Sequence, residues 1–142
     1  MKILLALAVL LTFSILLAHG GLLEFRKMIK QVTEKHAFPS YTTYGCWCGL
    51  GGKGMPKDAT DWCCQNHDCC YSQLNDKCSP KTGRYKFTYK DEVLACEGNG
   101  CEKQICECDK IAVLCMKRNL DTYNKSYRFY PNWKCSRSGP KC

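Results

Sequence analysis

Two adjacent side chains, His67 and Asp68, lie within the segment CCQNHDCC and are the residues best suited to chemistry. Histidine titrates near neutral pH and is the side chain most often used as a general base. Of the other histidines, His19 lies in the apolar N-terminal stretch and His36 in a polar segment before Pro39. His67 is therefore the candidate base, and the alternative is a surface histidine on a cysteine-rich helix.

Asp68 is suited to a different role, because neighbouring positions on an α-helix point about 100° apart. Calcium prefers carboxylate and carbonyl oxygens as ligands. A glycine-rich loop held by Cys46 and Cys48 can turn several carbonyls towards such an ion. Zinc bound by His67 and its neighbouring cysteines is the rival interpretation, but oxidation to disulfides would remove the thiolates that zinc requires.

Two long helices are predicted to position these side chains. The first follows Asp58, a typical N-cap residue, has Asp61 in its first turn and runs to about Leu74. The second is predicted from about Glu102 to Arg118. Both carry two cysteines seven residues apart, a spacing of about two turns that returns to nearly the same face.

If the two helices are antiparallel, two disulfides can join them. The pairs suggested by the spacing are Cys63 with Cys115 and Cys70 with Cys108. In that register a residue near position 111 faces His67, so Asp109 lies within about a turn of it. A carboxylate there would orient the imidazole and stabilise its charged form.

The remaining elements are predicted to be small. Helical spacing of apolar residues over Leu22–Thr33 indicates an amphipathic helix that either packs on the core or lies on a membrane. Its opposite side is basic, with Arg26, Lys27 and Lys30. Alternation at Tyr85, Phe87 and Tyr89, followed by Val93–Cys96, predicts a β-hairpin. The tail, Asp121–Cys142, is predicted to be a loop held by Cys135 and Cys142.

The first twenty residues have the pattern of a signal peptide cleaved after Gly20, with Lys2 followed by an apolar run. A transmembrane anchor is the alternative, but the run is short for a bilayer. Residues 21–142 then form one secreted domain. All 14 cysteines lie in it, which predicts up to seven disulfides in an oxidising compartment.

Charge points to anionic partners. The whole chain carries +8, and loss of Lys2 with the signal leaves about +7. Anionic membrane surfaces or heparan sulfate-type glycans fit a secreted basic protein, whereas no nucleic-acid-binding pattern is present.

The segments YGCWCGLGGKGMPKDATDWCCQNHDCCY (residues 44–71) and CECDK (residues 106–110) resemble the secreted phospholipase A2 family. Termination at Cys142, which is available to pair with Cys69, and the absence of an elapid-type or pancreatic loop are similar to its group II branch. The resemblance implies a mainly α, disulfide-rich fold with an N-terminal helix, a calcium loop, two long antiparallel helices and a small β-hairpin. It also implies calcium-dependent hydrolysis of the sn-2 ester of glycerophospholipids at membrane interfaces.

The resemblance carries over residue roles. His67 would be the base, with Asp109 as its partner, and Tyr71 and Tyr85 would hydrogen-bond that aspartate. Calcium would bind the Asp68 side chain and the carbonyls of Trp47, Gly49 and Gly51, and the Gly49 N–H would bind the oxyanion. Leu22, Phe25 and Ile29 would line the acyl channel. The implied disulfides are 46–135, 48–64, 63–115, 69–142, 70–108, 78–101 and 96–106.

Other hypotheses remain open at the level of sequence. A non-catalytic cationic protein that binds membranes or a cell-surface receptor is the alternative to an enzyme. Trp47 and Leu50 are candidate membrane contacts, whereas burial is the expected state of Trp62 and Trp133. Asn124-Lys125-Ser126 is an acceptor sequence for N-glycosylation that the branch does not imply.

Overall fold

The structure is a computed structural model that describes residues 2–9, 20–49, 51–74 and 76–142. Its helices are α1 (Gly20–Thr33), the short α2 (Ala37–Ser40), α3 (Ala59–Ser72) and α4 (Gly100–Arg118), and its strands are β1 (Phe87–Lys90) and β2 (Val93–Cys96). This is the mainly helical, disulfide-rich fold that was predicted.

The first long helix begins at the predicted cap. The Asp58 carboxylate accepts a hydrogen bond of 2.9 Å from the Asp61 N–H, which satisfies one of the free amides of the first turn of α3. The helix ends at Ser72 rather than near Leu74, because the Gln73 N–H caps the preceding turn by bonding to its carbonyls. Helix α4 begins two residues before its predicted start.

Seven disulfides join the elements, and no described cysteine is free. The bridges are Cys46–Cys135, Cys48–Cys64, Cys63–Cys115, Cys69–Cys142, Cys70–Cys108, Cys78–Cys101 and Cys96–Cys106. The two bridges predicted from helical spacing are among them, so α3 and α4 are antiparallel. The five implied only by the resemblance are also confirmed. Because every sulfur is paired, no thiolate is left for zinc.

The core lies where α1 packs against α4, which in turn packs against α3. From α1 it receives Met28, Ile29 and Val32, all at most 4% exposed, while the basic side of the helix faces solvent. From α4 it receives Val113 and Met116. The apolar side of α1 is therefore packed against the protein for much of its length, as one of the two predicted alternatives requires.

The predicted β-hairpin is present. Strands β1 and β2 pair antiparallel, with Phe87 opposite Cys96 and Lys90 opposite Val93. Two residues, Asp91 and Glu92, form the turn with φ of 51° and 62°, the left-handed geometry that matches the twist of a two-residue hairpin.

The C-terminal tail is more regular than the predicted loop. It contains three 3-10 turns, Leu120–Thr122, Lys125–Tyr127 and Asn132–Lys134. The expected burial of Trp133 is wrong, because this residue is 78% exposed, with the Lys134 ammonium 5.5 Å from the centre of its ring. The aromatic side chains by which the tail packs against the core are instead Tyr123 and Tyr127, whose rings contact the buried Tyr44. Trp62, at 37% exposed, is not buried either.

The predicted signal peptide lies partly outside the described residues. Residues 2–9 are helical and exposed, and α1 starts at Gly20, the last residue of that segment. Among the described residues, no helix has both the length and the apolar character needed to cross a bilayer.

Candidate functional site

His67 and Asp109 meet at the interface of the two long helices. His67 Nε2 lies 2.7 Å from Asp109 Oδ1, and the two side chains are 7% and 0% exposed. The register deduced from cysteine spacing thus places the carboxylate against the imidazole. Two interhelix disulfides, one on either side along α3, fix the backbone on which the pair depends.

Two tyrosines complete the environment of Asp109. The Tyr85 hydroxyl donates to Oδ2 at 2.6 Å, and the Tyr71 hydroxyl donates to Oδ1. Burial, together with the adjacent Asp109 charge, raises the pKa of both hydroxyls well above the usual tyrosine value. Both tyrosines therefore keep their protons and donate to the buried Asp109 carboxylate, which stabilises its negative charge.

Two aromatic rings contact the imidazole. The Phe25 ring of α1 stacks on it with centroids 4.4 Å apart and planes 18° from parallel, and the Tyr71 ring lies 4.1 Å away at 52°. With Nε2 bonded to Asp109, Nδ1 is the nitrogen that remains, and no described residue hydrogen-bonds to it. A neutral imidazole protonated at Nε2 presents its lone pair at Nδ1.

The three predicted channel residues are not equivalent. Phe25 contacts His67 directly, and Leu22 is half-buried on the same helix. Ile29 is 2% exposed and belongs to the core.

The glycine-rich loop abuts Asp68. Gly52 has φ of 107°, and a Cβ at that position would lie 3.2 Å from Asp68 Oδ2 and 2.6 Å from the Trp47 ring. Glycine is required here both by the left-handed backbone and by the close approach. The loop backbone and the Asp68 carboxylate are therefore in close contact.

Asp68 has neither a hydrogen bond nor an ion pair with any described residue. Burial raises the pKa of its carboxyl to about 6, although the charges of His67 and Lys81 oppose this. A half-buried carboxylate without a partner is what a bound cation would stabilise.

The loop can supply further oxygens. The carbonyls of Trp47, Gly49 and Gly51 accept no backbone hydrogen bond from the described residues. No group of three or more His, Cys, Asp or Glu side chains is gathered at one point in the described part of the chain. A cation on Asp68 would thus take its other ligands from carbonyls and water, and this all-oxygen set fits calcium.

Asp61 performs a task that the sequence did not reveal. Its fully buried carboxylate accepts hydrogen bonds of 2.8 Å from three backbone amides, those of Cys46, Trp47 and Lys57. It therefore holds both ends of the glycine-rich loop against the first turn of α3. The only signal was Asp58-x-x-Asp61 at a helix start, a pattern that the helix dipole explains equally well.

Trp47 packs within the loop. Its indole Nε1–H donates to the Gly54 carbonyl at 2.9 Å, and its ring rests on Gly52. Local packing explains this tryptophan, which leaves its predicted membrane contact without structural support. Leu50, its suggested companion, is outside the described residues.

Comparison with known proteins gives consistent matches. The family model described as Phospholipase A2 matches residues 22–128. The chain is 58% identical over 124 residues to "Basic phospholipase A2 Cll-N6" of Crotalus lepidus lepidus, covering 87% of this chain and 89% of that protein. It is 49% identical over 144 aligned positions to "Phospholipase A2, membrane associated" of Bos taurus, covering all of both. "Basic phospholipase A2 myotoxin I" of Bothrops asper is 56% identical over 124 residues, again covering 87% and 89%.

Proposed function

The chain belongs to the phospholipase A2 family and hydrolyses phospholipids; we propose that it is secreted and cleaves the sn-2 ester of glycerophospholipids at membrane surfaces with calcium. The products would be a free fatty acid and a lysophospholipid. The observation that carries the proposal is the pairing of His67 with a buried Asp109 beside a glycine loop that touches Asp68.

His67 would act as the general base. Its Nδ1 accepts a proton from water as the water oxygen attacks the sn-2 carbonyl carbon, and Asp109 stabilises the imidazolium that forms. Collapse of the tetrahedral intermediate breaks the bond to the glycerol oxygen, and the imidazolium returns its proton to that oxygen. Tyr71 and Tyr85 would keep Asp109 ionised and oriented throughout.

Asp68 and the carbonyls of Trp47, Gly49 and Gly51 would hold calcium. When bound, the ion would polarise the substrate carbonyl and offset the negative charge that develops on its oxygen. The Gly49 N–H would donate to the same oxygen. A Cβ at Gly49 would lie 1.8 Å from the Thr42 carbonyl oxygen, which supports a tightly seated backbone at this position.

The test measures fatty-acid release from anionic and zwitterionic vesicles, with calcium or with a chelator. His67→Gln should lower turnover by roughly 10²- to 10⁴-fold, the usual contribution of a general base. His36→Gln is the matched control, since His36 is exposed and far from the pair in sequence. Turnover that persists in chelator would contradict the calcium requirement.

The same experiment separates the non-catalytic alternative. A cationic membrane-binding protein would keep its vesicle leakage after His67→Gln and lose it at high salt, because exposed charges are screened. Equal turnover by wild type and His67→Gln would remove His67 from its proposed role.

A further inference from the structure

The sequence Asn124-Lys125-Ser126 stands on the surface in a defined conformation. All three residues are exposed, and Asn124 precedes the 3-10 turn Lys125–Tyr127. Asn124 Oδ1 accepts hydrogen bonds from the Ser126 N–H at 3.0 Å and from the Ser126 hydroxyl at 2.7 Å. Both bonds use the oxygen of the amide, so Nδ2 is left without a hydrogen-bond partner among the described residues.

From this arrangement we propose that Asn124 carries an N-linked glycan. The inference rests on the secretion included in the proposed function, because the modification takes place on chains that enter the secretory route. The sequon needs Ser or Thr two positions after asparagine and any residue but proline between them, and Lys125 meets the second condition.

The chemistry is a group transfer from a lipid-linked diphospho-oligosaccharide. A bond forms between Asn124 Nδ2 and the anomeric carbon of the first sugar, and the bond from that carbon to the diphosphate oxygen breaks. Nδ2 loses one proton, and the lipid diphosphate leaves. The Ser126 hydroxyl, which bonds to Oδ1, polarises the amide without blocking its nitrogen.

Asn99 provides an internal contrast. It is exposed and is followed by Gly100 and Cys101, a weaker variant of the acceptor pattern with cysteine in the third position. Cys101 is bonded to Cys78, so the folded chain has no thiol there. No other asparagine of the chain has Ser or Thr two residues later. Asn124 is thus the position that combines the sequon with an exposed amide.

Hydrogen bonds connect the surrounding segment to neighbouring parts of the protein. The Asn124 N–H donates to the Tyr44 hydroxyl at 2.9 Å, and that hydroxyl donates to Asp58 Oδ2 at 2.5 Å. On the other side, the Gly45 N–H donates to the Tyr127 carbonyl at 2.9 Å. A glycan on Asn124 would therefore be attached at a point that hydrogen bonds hold in place.

The same contacts place the glycan away from the catalytic centre. They connect Asn124 to Asp58 at the N-terminal end of α3, and His67 lies nine residues further along, about 13 Å at the helical rise of 1.5 Å per residue. Hydrolysis of a soluble, monomeric short-chain phospholipid should be the same with and without the glycan.

The test expresses the full chain in a glycosylating secretory host and measures its intact mass before and after peptide-N-glycosidase. The wild type should lose the mass of a glycan on enzyme treatment. Asn124→Gln and Ser126→Ala should be secreted at the mass of the bare, disulfide-bonded polypeptide. Ser126→Thr should retain the glycan, because threonine also completes the sequon, and Asn99→Gln should be modified like the wild type.

Two results would overturn the proposal: a wild type secreted at the bare mass, or a glycan that persists in Asn124→Gln. If Asn124→Gln fails to fold, Ser126→Ala and Ser126→Thr still decide the question, because both keep the Asn124 side chain. Failure of the proposed function would look different, with a glycosylated protein that releases no fatty acid.

Discussion

At the scale of single residues, Asp61 gives the sharpest prediction, because its carboxylate accepts hydrogen bonds from three backbone amides at the ends of the glycine-rich loop. Asp61→Asn keeps the size but replaces one oxygen with an NH₂ group that faces backbone donors. Leaving buried donors unpaired costs about 1–3 kcal/mol. We expect calcium to bind about tenfold more weakly or worse, since each 1.4 kcal/mol is a factor of ten.

Isothermal titration with calcium measures this loss, and thermal unfolding of the metal-free protein shows whether the fold survives. Asp121→Asn is the matched control, because Asp121 is exposed in a 3-10 turn and its carboxylate has no hydrogen bond among the described residues. A calcium affinity equal to that of the wild type in folded Asp61→Asn would show that the loop does not need these bonds.

Burial of Tyr41 should make the stability of the protein depend on pH in the alkaline range. Its hydroxyl is buried without a hydrogen bond from the described residues, and the nearby Thr33 hydroxyl donates to the Ile29 carbonyl instead. Burial raises the pKa of Tyr41 from 10.0 to about 12. Between these values the unfolded chain releases the proton that the folded chain retains. The free energy of unfolding therefore falls as pH rises, by about 1.4 kcal/mol per pH unit from this group.

Tyr41→Phe should remove this contribution to the slope and have little effect on stability at pH 7, because the hydroxyl makes no hydrogen bond to the described residues. Urea unfolding of wild type and variant between pH 9 and pH 11.5 measures the difference. Tyr130→Phe, on a partly exposed ring of the tail, is the comparison. Parallel stability curves for wild type and Tyr41→Phe would contradict the prediction.

The sequence predicted the pair of His67 and Asp109 because both stand on regular helices with a register set by cysteines. Asp61 could not be recognised in the same way. Its partners are backbone amides of an irregular loop, which carry no residue-type signal. The roles of Tyr71 and Tyr85 came only from the family resemblance, since a tyrosine that donates across 24 or 38 residues leaves no local pattern.

At the scale of elements, α1 is tied to the segment that leads into β1. The Glu24 carboxylate of α1, 7% exposed, accepts from Arg84 Nη2 at 2.7 Å and from Nε at 2.9 Å. Arg84→Ala should leave this carboxylate buried without a cation. Because Arg84 is itself largely exposed, solvent screens this ion pair. We therefore expect Arg84→Ala to lower the free energy of unfolding by only about 1 kcal/mol.

A double-mutant cycle tests this contact. Glu24→Gln in the Arg84→Ala background should recover part of the stability, because a neutral amide is cheaper to bury than a carboxylate. Thermal unfolding gives the coupling energy. Turnover provides a second readout, since α1 also places Phe25 on His67. Strictly additive effects of the two substitutions would show that the pair does not hold α1 in place.

Helices and strands were predictable from the sequence where the spacing of apolar residues or cysteines was regular, and their ends were less predictable. The hairpin and the two long helices were recovered from alternation, capping and cysteine spacing. The boundaries of α3 and α4 each shifted by about two residues, because carbonyl capping at Gln73 and the turn before Gly100 depend on backbone geometry. The 3-10 turns of the tail were missed because each is a single turn closed by local backbone hydrogen bonds, too short to show a periodic pattern.

At the scale of the whole molecule, charge and covalent bonding act together. Seven disulfides fix a modest core, so the surface can carry a large excess of cations without the chain opening. The net charge of +8 for the chain then attracts anionic surfaces over the range allowed by salt, about 10 Å at 0.1 M. The question for the proposed function is whether this attraction is spread over the surface or concentrated near the site.

The exposed, basic side of α1 is the surface best placed to bring an anionic membrane to the site, because Phe25 of the same helix stacks on His67. We expect Arg26→Gln/Lys27→Gln to weaken binding to anionic vesicles by about 2 kcal/mol, or roughly 30-fold, at about 1 kcal/mol for each cation near the surface. Lys86→Gln/Lys90→Gln on the hairpin removes the same charge from two exposed lysines and is the matched control. Cosedimentation at low salt measures both. Equal losses of vesicle affinity in the two double variants would mean that net charge alone directs binding. A loss confined to the α1 variant would instead place the membrane on the side of the molecule that carries Phe25 and His67.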